Sequence, residues 1–248
     1  MTEKVQIHID TTNTTSVMGS QQASVTKINS NPFQCTYNFA NQNRHARSLS
    51  LQTVEIPQGF YNVRAPFNTL VISGNTRTIT PGNYNSLTAL NSAIVVETGS
   101  ALSSIGSFSS TNGIVTFTSG SAVTFGPVTR NSLLSFLGYT HTGTTNSSTT
   151  QGASNPYTLT WDTYISIFIE NIGTSSLENS LISFKIPLSS ISNGTIFWSE
   201  MSQNRQIIQF QASTRLSYLN IVVYDRFGNI LNNNGVDWSM TINVDFIN

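Results

Sequence analysis

The sequence predicts an all-β fold, and three observations carry that reading. Residues 237–246 alternate without exception, with Trp238, Met240, Ile242, Val244 and Phe246 on one side and Asp237, Ser239, Thr241, Asn243 and Asp245 on the other. Successive side chains of a strand point to opposite faces, so this is a strand with one dry face and one wet face. Two more rows, Ile165/Ile167/Ile169 and Ile182/Phe184/Ile186/Leu188, repeat the pattern between clusters of Gly, Ser and Asn. Helical spacing is concentrated over residues 86–96, where Leu87, Leu90, Ala93 and Ile94 recur behind Asn85 or Ser86 as a cap. In a chain of 248 residues, many short strands with almost no helix indicate a sandwich or barrel. The expected fold is a single jelly-roll β-sandwich with one short helix and extra loops.

Taken in order, Val5, Ile7 and Ile9 alternate with Lys4, Gln6, His8 and Asp10, a short amphipathic strand. Residues 11–31 then carry few large apolar groups and cannot stabilise a packed element of their own. The expected organisation is an N-terminal strand and flexible arm over residues 1–31, followed by one jelly-roll domain over residues 32–248. Two readings of the arm stay open. Val5, Ile7 and Ile9 add to the sheet edge of a neighbouring subunit, or the strand folds back onto its own domain.

The main body opens with Phe33, Cys35, Tyr37 and Phe39 in one row. In the next strand the apolar phase slips from Leu49/Leu51 to Val54/Ile56, which predicts a bulge near Gln52 and Thr53. Short strands are expected over residues 69–73, 114–118 and 122–125, the last two joined by a turn at Gly120. Residues 130–139 read as one helical turn ending at Gly138, and residues 140–155 as an exposed, mobile loop. Residues 157–161, 164–170, 181–187, 195–198 and 206–211 read as strands. The row Leu219, Ile221 and Val223 matches that of residues 237–246, so the two are expected to form an antiparallel hairpin.

Charge bounds the function. Lys plus Arg and Asp plus Glu number 11 each and together make only 9% of the chain, against about 25% in a typical soluble domain. A neutral, sparsely charged surface tolerates close self-association and offers no basic stripe for nucleic acid. No apolar run approaches the roughly 20 residues of a membrane span, and the missing signal-type apolar region argues for synthesis in the cytosol. Cys35, the single cysteine, reads as a buried, inert thiol. Three glycosylation-type sequons, at Asn13, Asn146 and Asn193, are what an Asn- and Thr-rich chain produces by chance.

Catalytic material is thin. His8, His45 and His141 read as surface residues, and no metal-binding, nucleophile-elbow or phosphate-loop motif occurs. Among carboxylates, Glu170, Asp225, Asp237 and Asp245 are the candidates for a paired-acid site, but strand polarity and turn formation account for them. The reading is a protein without catalytic residues, cofactor or metal. Trp161, Trp198, Tyr218 and Tyr224 could form a sugar platform, which keeps a lectin-like carbohydrate- or receptor-binding module as the alternative.

The string LNIVVYDRFGNIL at residues 219–231, followed by NGVDWSM at residues 234–240, resembles the closing motif of single jelly-roll minor capsid proteins. These are the penton proteins of virophages, Polinton-like elements and large eukaryotic DNA viruses. Further pieces resemble the family in the same order: ITPGNY at residues 79–84 before the Leu87/Leu90 helix, the Leu134-to-Tyr139 turn, and YISIFIEN at residues 164–171. The resemblance implies a structural virion protein of which five copies close each capsid vertex and contact the major capsid protein. It would be made in the host cytoplasm or a virus factory.

Overall fold

The computed structural model describes residues 2–12, 15–18, 21–39, 44–97, 106–129, 131–159, 162–170, 172, 184–188, 191–192, 194–200 and 206–247. They form two compact units, one of Met1–Phe60 with Asp162–Asn248 and the other of Tyr61–Trp161. The second unit spans the stretch in which the sequence places the helix and extra loops.

The larger unit is an all-β, jelly-roll-like sandwich of two antiparallel sheets. Its strands are β1 (Thr2–Asp10), β2 (Thr15–Met18), β3 (Gln21–Ile28), β4 (Asn31–Asn38) and β5 (His45–Pro57), then, beyond the second unit, β11 (Tyr164–Ile169), β12 (Phe184–Pro187), β13 (Ile191–Ser192), β14 (Thr195–Ser199), β15 (Ile207–Arg215), β16 (Tyr218–Asp225) and β17 (Ser239–Ile247). The first sheet runs β1-β17-β5-β14-β13, with β15 also on β5, and the second runs β12-β11-β16-β4-β3-β2. At 13 residues, β5 is long enough to pair with β14 along residues 53–57 and with β15 along residues 45–50.

Both inner faces are built from the alternating rows. Met240, Ile242, Val244, Phe246 and Trp238 are all buried, facing Phe33, Cys35, Ile165, Ile167, Leu219, Ile221 and Val223 in one core. The phase slip in β5 is a real bulge. Thr53 pairs with Thr241 and Leu51 with Ile242, so Gln52 is the extra residue that keeps Leu49, Leu51, Val54 and Ile56 all facing inward.

Two expectations are corrected here, and one open alternative is decided. The chain's last two strands do not form a hairpin, because β16 lies in the second sheet and β17 in the first, and residues 226–238 cross between them. Two matching apolar rows can sit side by side or face each other across a core, and here they face. Residues 11–31, expected to lack packed structure, contain the β2–β3 hairpin, which extends the second sheet through β3–β4 pairing and buries Val25. Strand β1 takes the fold-back course open to it, pairing along nine residues with β17 and burying Ile7 and Ile9, with Val5 packed against the same core.

The second unit holds β6 (Thr69–Ile72), β7 (Asn75–Thr78), α1 (Leu87–Glu97), β8 (Ser107–Thr111), β9 (Ile114–Val123), α2 (Leu133–Phe136) and β10 (Ser148–Pro156). Ser86 caps α1, its Oγ accepting from the Ala89 amide at 3.1 Å. Gly138 follows α2 at φ +87, where a Cβ would meet the Asn155 carbonyl oxygen at 2.0 Å. The two strands expected around Gly120 are one continuous β9. Part of the expected mobile loop is β10, and the strand expected over residues 157–161 is absent among its described residues, 157–159. In β10 only Gln151 is buried, so it carries no apolar alternation to read. Rings fill the core, with Phe117–Phe125 at 5.3 Å, Phe125–Tyr139 at 5.2 Å and Phe67–Phe136 at 5.2 Å between centroids.

The opposed rows of β17 give the test of this architecture. Trp238→Ala should lower the unfolding free energy by about 3 to 5 kcal/mol through lost burial and a cavity. Thr241→Ala, on the wet row, should cost under about 1 kcal/mol. Urea titration followed by tryptophan-independent circular dichroism measures both.

Candidate functional site

The residue types that carry chemistry are scattered. His8 is exposed, with Nδ1 3.1 Å from Thr241 Oγ1; His45 opens β5 on the surface; His141 is half-buried in the second unit, where Nε2 donates to the Gly126 carbonyl at 2.8 Å. Among the described residues no three His, Cys, Asp or Glu side chains are placed to hold a metal. Cys35 is fully buried, and burial pushes its thiol up to about 12 although Lys27 pulls the other way. Of the aromatics that could have formed a sugar platform, Trp198 is a core residue at 1% exposure, Tyr224 is half-buried, Tyr218 is exposed, and Trp161 lies outside the described residues.

Three of the four carboxylates are engaged in structural bonds. Asp245 Oδ2 accepts from Ser48 Oγ at 2.5 Å, and Asp237 pairs with Lys27 Nζ at 2.5 Å. Glu170 is exposed at the end of β11. Asp225, only 2% exposed, accepts through Oδ1 from the Phe227 and Asn229 amides, both at 2.8 Å, and so folds the turn onto itself.

That turn begins the crossing from sheet to sheet, which carries most of the closing motif of residues 219–240, and its polar residues bind backbone. Asn233 is completely buried. Its Nδ2 donates to the Pro57 carbonyl at 3.0 Å and the Val236 carbonyl at 2.8 Å, while Oδ1 accepts from the Gly59 amide at 2.8 Å. Gly59 must be glycine for this approach, since a Cβ would meet the Asn233 carbonyl oxygen at 2.3 Å. Trp238 Nε1 donates to the Pro32 carbonyl at 2.7 Å, and its backbone amide donates to Thr11 Oγ1 at 2.9 Å. The motif thus joins the ends of β1, β4 and β5.

Other amides close strand edges. Gln206 accepts from the Lys185 amide at 2.7 Å and donates to the Lys185 carbonyl at 2.8 Å, on the edge strand β12. Asn91 of α1 treats Phe108 of β8 in the same way, accepting at 3.0 Å and donating to its carbonyl. Each side-chain amide supplies what a further strand would supply.

The outer faces of the two sheets carry the sandwich's exposed side chains, although Ser50 and Asn243 on the first and Ser166 and Val222 on the second are buried. On the first sheet, cross-strand rows run Lys4–Asp245–Ser48, Gln6–Asn243–Ser50, His8–Thr241–Thr53 and Asp10–Ser239–Glu55–Phe197. The face is polar apart from Phe197, 57% exposed, and Ile207 and Ile247, each 42% exposed. On the second sheet, Ser166 lies beside Tyr224 and Phe168 beside Val222. The Phe168 and Tyr224 rings stand edge to face at 6.3 Å, Lys185 Nζ sits 4.0 Å over the Tyr164 ring, and Ile230, 48% exposed, bridges to Tyr224. Burial, followed by the charge of Glu170, raises the Tyr224 hydroxyl above its ordinary value.

No family model matches the chain, and no curated protein matches it. Among solved structures it is similar to the selenomethionine-labelled mavirus penton protein, at 11% identity and TM-score 0.39, over 99% of this chain and 100% of that one. It is also similar to a chain in the 3.5 Å cryo-EM structure of the Sputnik virophage, at 9% identity and TM-score 0.34, over 98% of this chain and 97% of that one.

Two predictions come from these contacts. Asn233→Asp keeps the shape but replaces a donor facing two carbonyls with an acceptor, and should cost roughly 3 kcal/mol or more; Asn234→Asp, on the exposed neighbour, should be far milder by the same urea titration. Cys35 makes stability depend on alkaline pH. Its thiol stays protonated in the folded chain while the unfolded thiol ionises near 9.0, so its contribution is complete below pH 9 and is lost as pH rises toward 12, at about 1.4 kcal/mol per pH unit. Stability curves of the wild type and Cys35→Ala should therefore converge as pH increases from 9.

Proposed function

We propose that this chain is a structural virion protein, a penton-type minor capsid subunit of which five copies close an icosahedral vertex against the major capsid protein. The observation that carries the reading is the ordered series of sequence pieces resembling that family, from residues 79–84 to residues 234–240. The polar residues of the closing piece tie the ends of β1, β4 and β5 together. Sparse surface charge supports close packing of copies, since few like charges need be brought together. A heterologous contact repeated around an axis generates a ring when the rotation closes.

Electron-microscopy class averages of the purified protein test this. Rings with five-fold symmetry are the expected result, and antibody labelling should place the protein at the vertices of purified virions. A monomer that retains a glycan through purification would instead favour a lectin-like module, and virions without the protein at their vertices would end the penton reading.

A further inference from the structure

We propose that neighbouring copies meet sheet face to sheet face, with Phe197 of one copy seated on the patch of Tyr164, Phe168, Tyr224 and Ile230 of the next. The inference deepens the penton reading and rests on it for the number of copies. Both surfaces belong to the sandwich and lie on its opposite outer faces, Phe197 in the row of Glu55 on the first sheet and the aromatic patch on β11 and β16 of the second. Patches on opposite faces cannot meet around a two-fold axis that buries one kind of surface against itself. They join copies head to tail, which closes into a ring when the rotation from copy to copy closes and runs on as an open filament when it does not.

Composition and charge match the two surfaces. Phe197, 57% exposed, is the most exposed large apolar side chain on its sheet face, ahead of Ile207 and Ile247 at 42%, and an aromatic of that kind is the anchor type that dominates interface energies; tyrosines and phenylalanines with a cationic rim are the kind of surface that receives it. Phe197 has acids around it: Glu55 is its cross-strand neighbour, Asp10 lies in the same row, and Glu200 follows in the chain at the end of β14. The receiving patch carries Lys185 over Tyr164 and Arg226 at the turn after β16, against one acid, Glu170. Acid facing base sets the register of the contact and disfavours pairing of either face with itself.

The test uses the full chain. Phe197→Ala, Lys185→Glu and Glu55→Lys should each weaken self-association by roughly ten-fold or more in sedimentation velocity. The combination of Lys185→Glu with Glu55→Lys should recover much of the loss. Their melting curves should match the wild type, because all three positions are exposed. Mixing copies carrying Phe197→Cys with copies carrying Tyr224→Cys should give a disulfide between chains. Five-fold rings that form with undiminished affinity in all variants and without that cross-link would overturn this contact and leave the penton reading standing. Rings of another number that do form the cross-link would support the contact and overturn the five-fold reading. A chain that stays monomeric at every concentration would overturn the contact.

Discussion

A backbone that leaves one sheet and enters the opposite one loses its ladder partners at the moment it becomes enclosed. Residues 226–238 make that passage, and beside main-chain bonds such as Leu231 N–H to the Val223 carbonyl and Val236 N–H to the Asn233 carbonyl, side-chain amides, hydroxyls and carboxylates bound to main chain hold it. Asp225 folds the departure, Asn233 satisfies three main-chain groups at the middle, and Thr11 receives Trp238 at the arrival. An unpaired buried amide costs about 1 to 3 kcal/mol, so the crossing would be prohibitive without them. The rest of the sandwich depends on it, because only this crossing puts β17 between β1 and β5.

The same chemistry explains a composition that first looks like a surface property. An Asn- and Gln-rich, charge-poor chain can be soluble, yet several of its amides are internal parts. Asn91 and Gln206 each pair with both backbone groups of one edge-strand residue, and Asn62 binds both backbone groups of Tyr84, which lies outside any strand, accepting from its amide and donating to its carbonyl, both at 2.9 Å. A lysine or glutamate cannot both donate and accept in this way. Edges closed by neutral amides also add no net charge to neighbouring surfaces.

Alternation made the inner rows of β4, β11 and β17 legible, and the phase slip located the bulge at Gln52 to within one residue. Elements without a dry row were illegible: β7 has no buried residue and β10 only Gln151. Burial rows also say nothing of lateral order, which is why β16 and β17 looked like a hairpin. At the candidate contact, the same alternation that turned Trp198 inward turned Phe197 outward. The signal was a large apolar residue on the wet phase of a strand, and no composition argument would have found it. Gln206 binds Lys185, 21 residues away, and Asn233 binds Pro57, 176 residues away, besides the nearby Val236, and such distant partners leave no local trace in the sequence.

The partnership of β1 with β17 joins residues 2–10 to residues 239–247. On a ribosome the sandwich must therefore wait, with its core rows uncovered, until the last strand has left the exit tunnel. The Tyr61–Trp161 unit is under no such delay, because its hairpins pair residues close in sequence, β6 with β7 and β8 with β9. Local pairings form early and distant ones late. A chain of this kind is born with a finished insert in the middle of an unfinished sandwich, and its interval of greatest exposure to aggregation falls between the synthesis of β11 and that of β17.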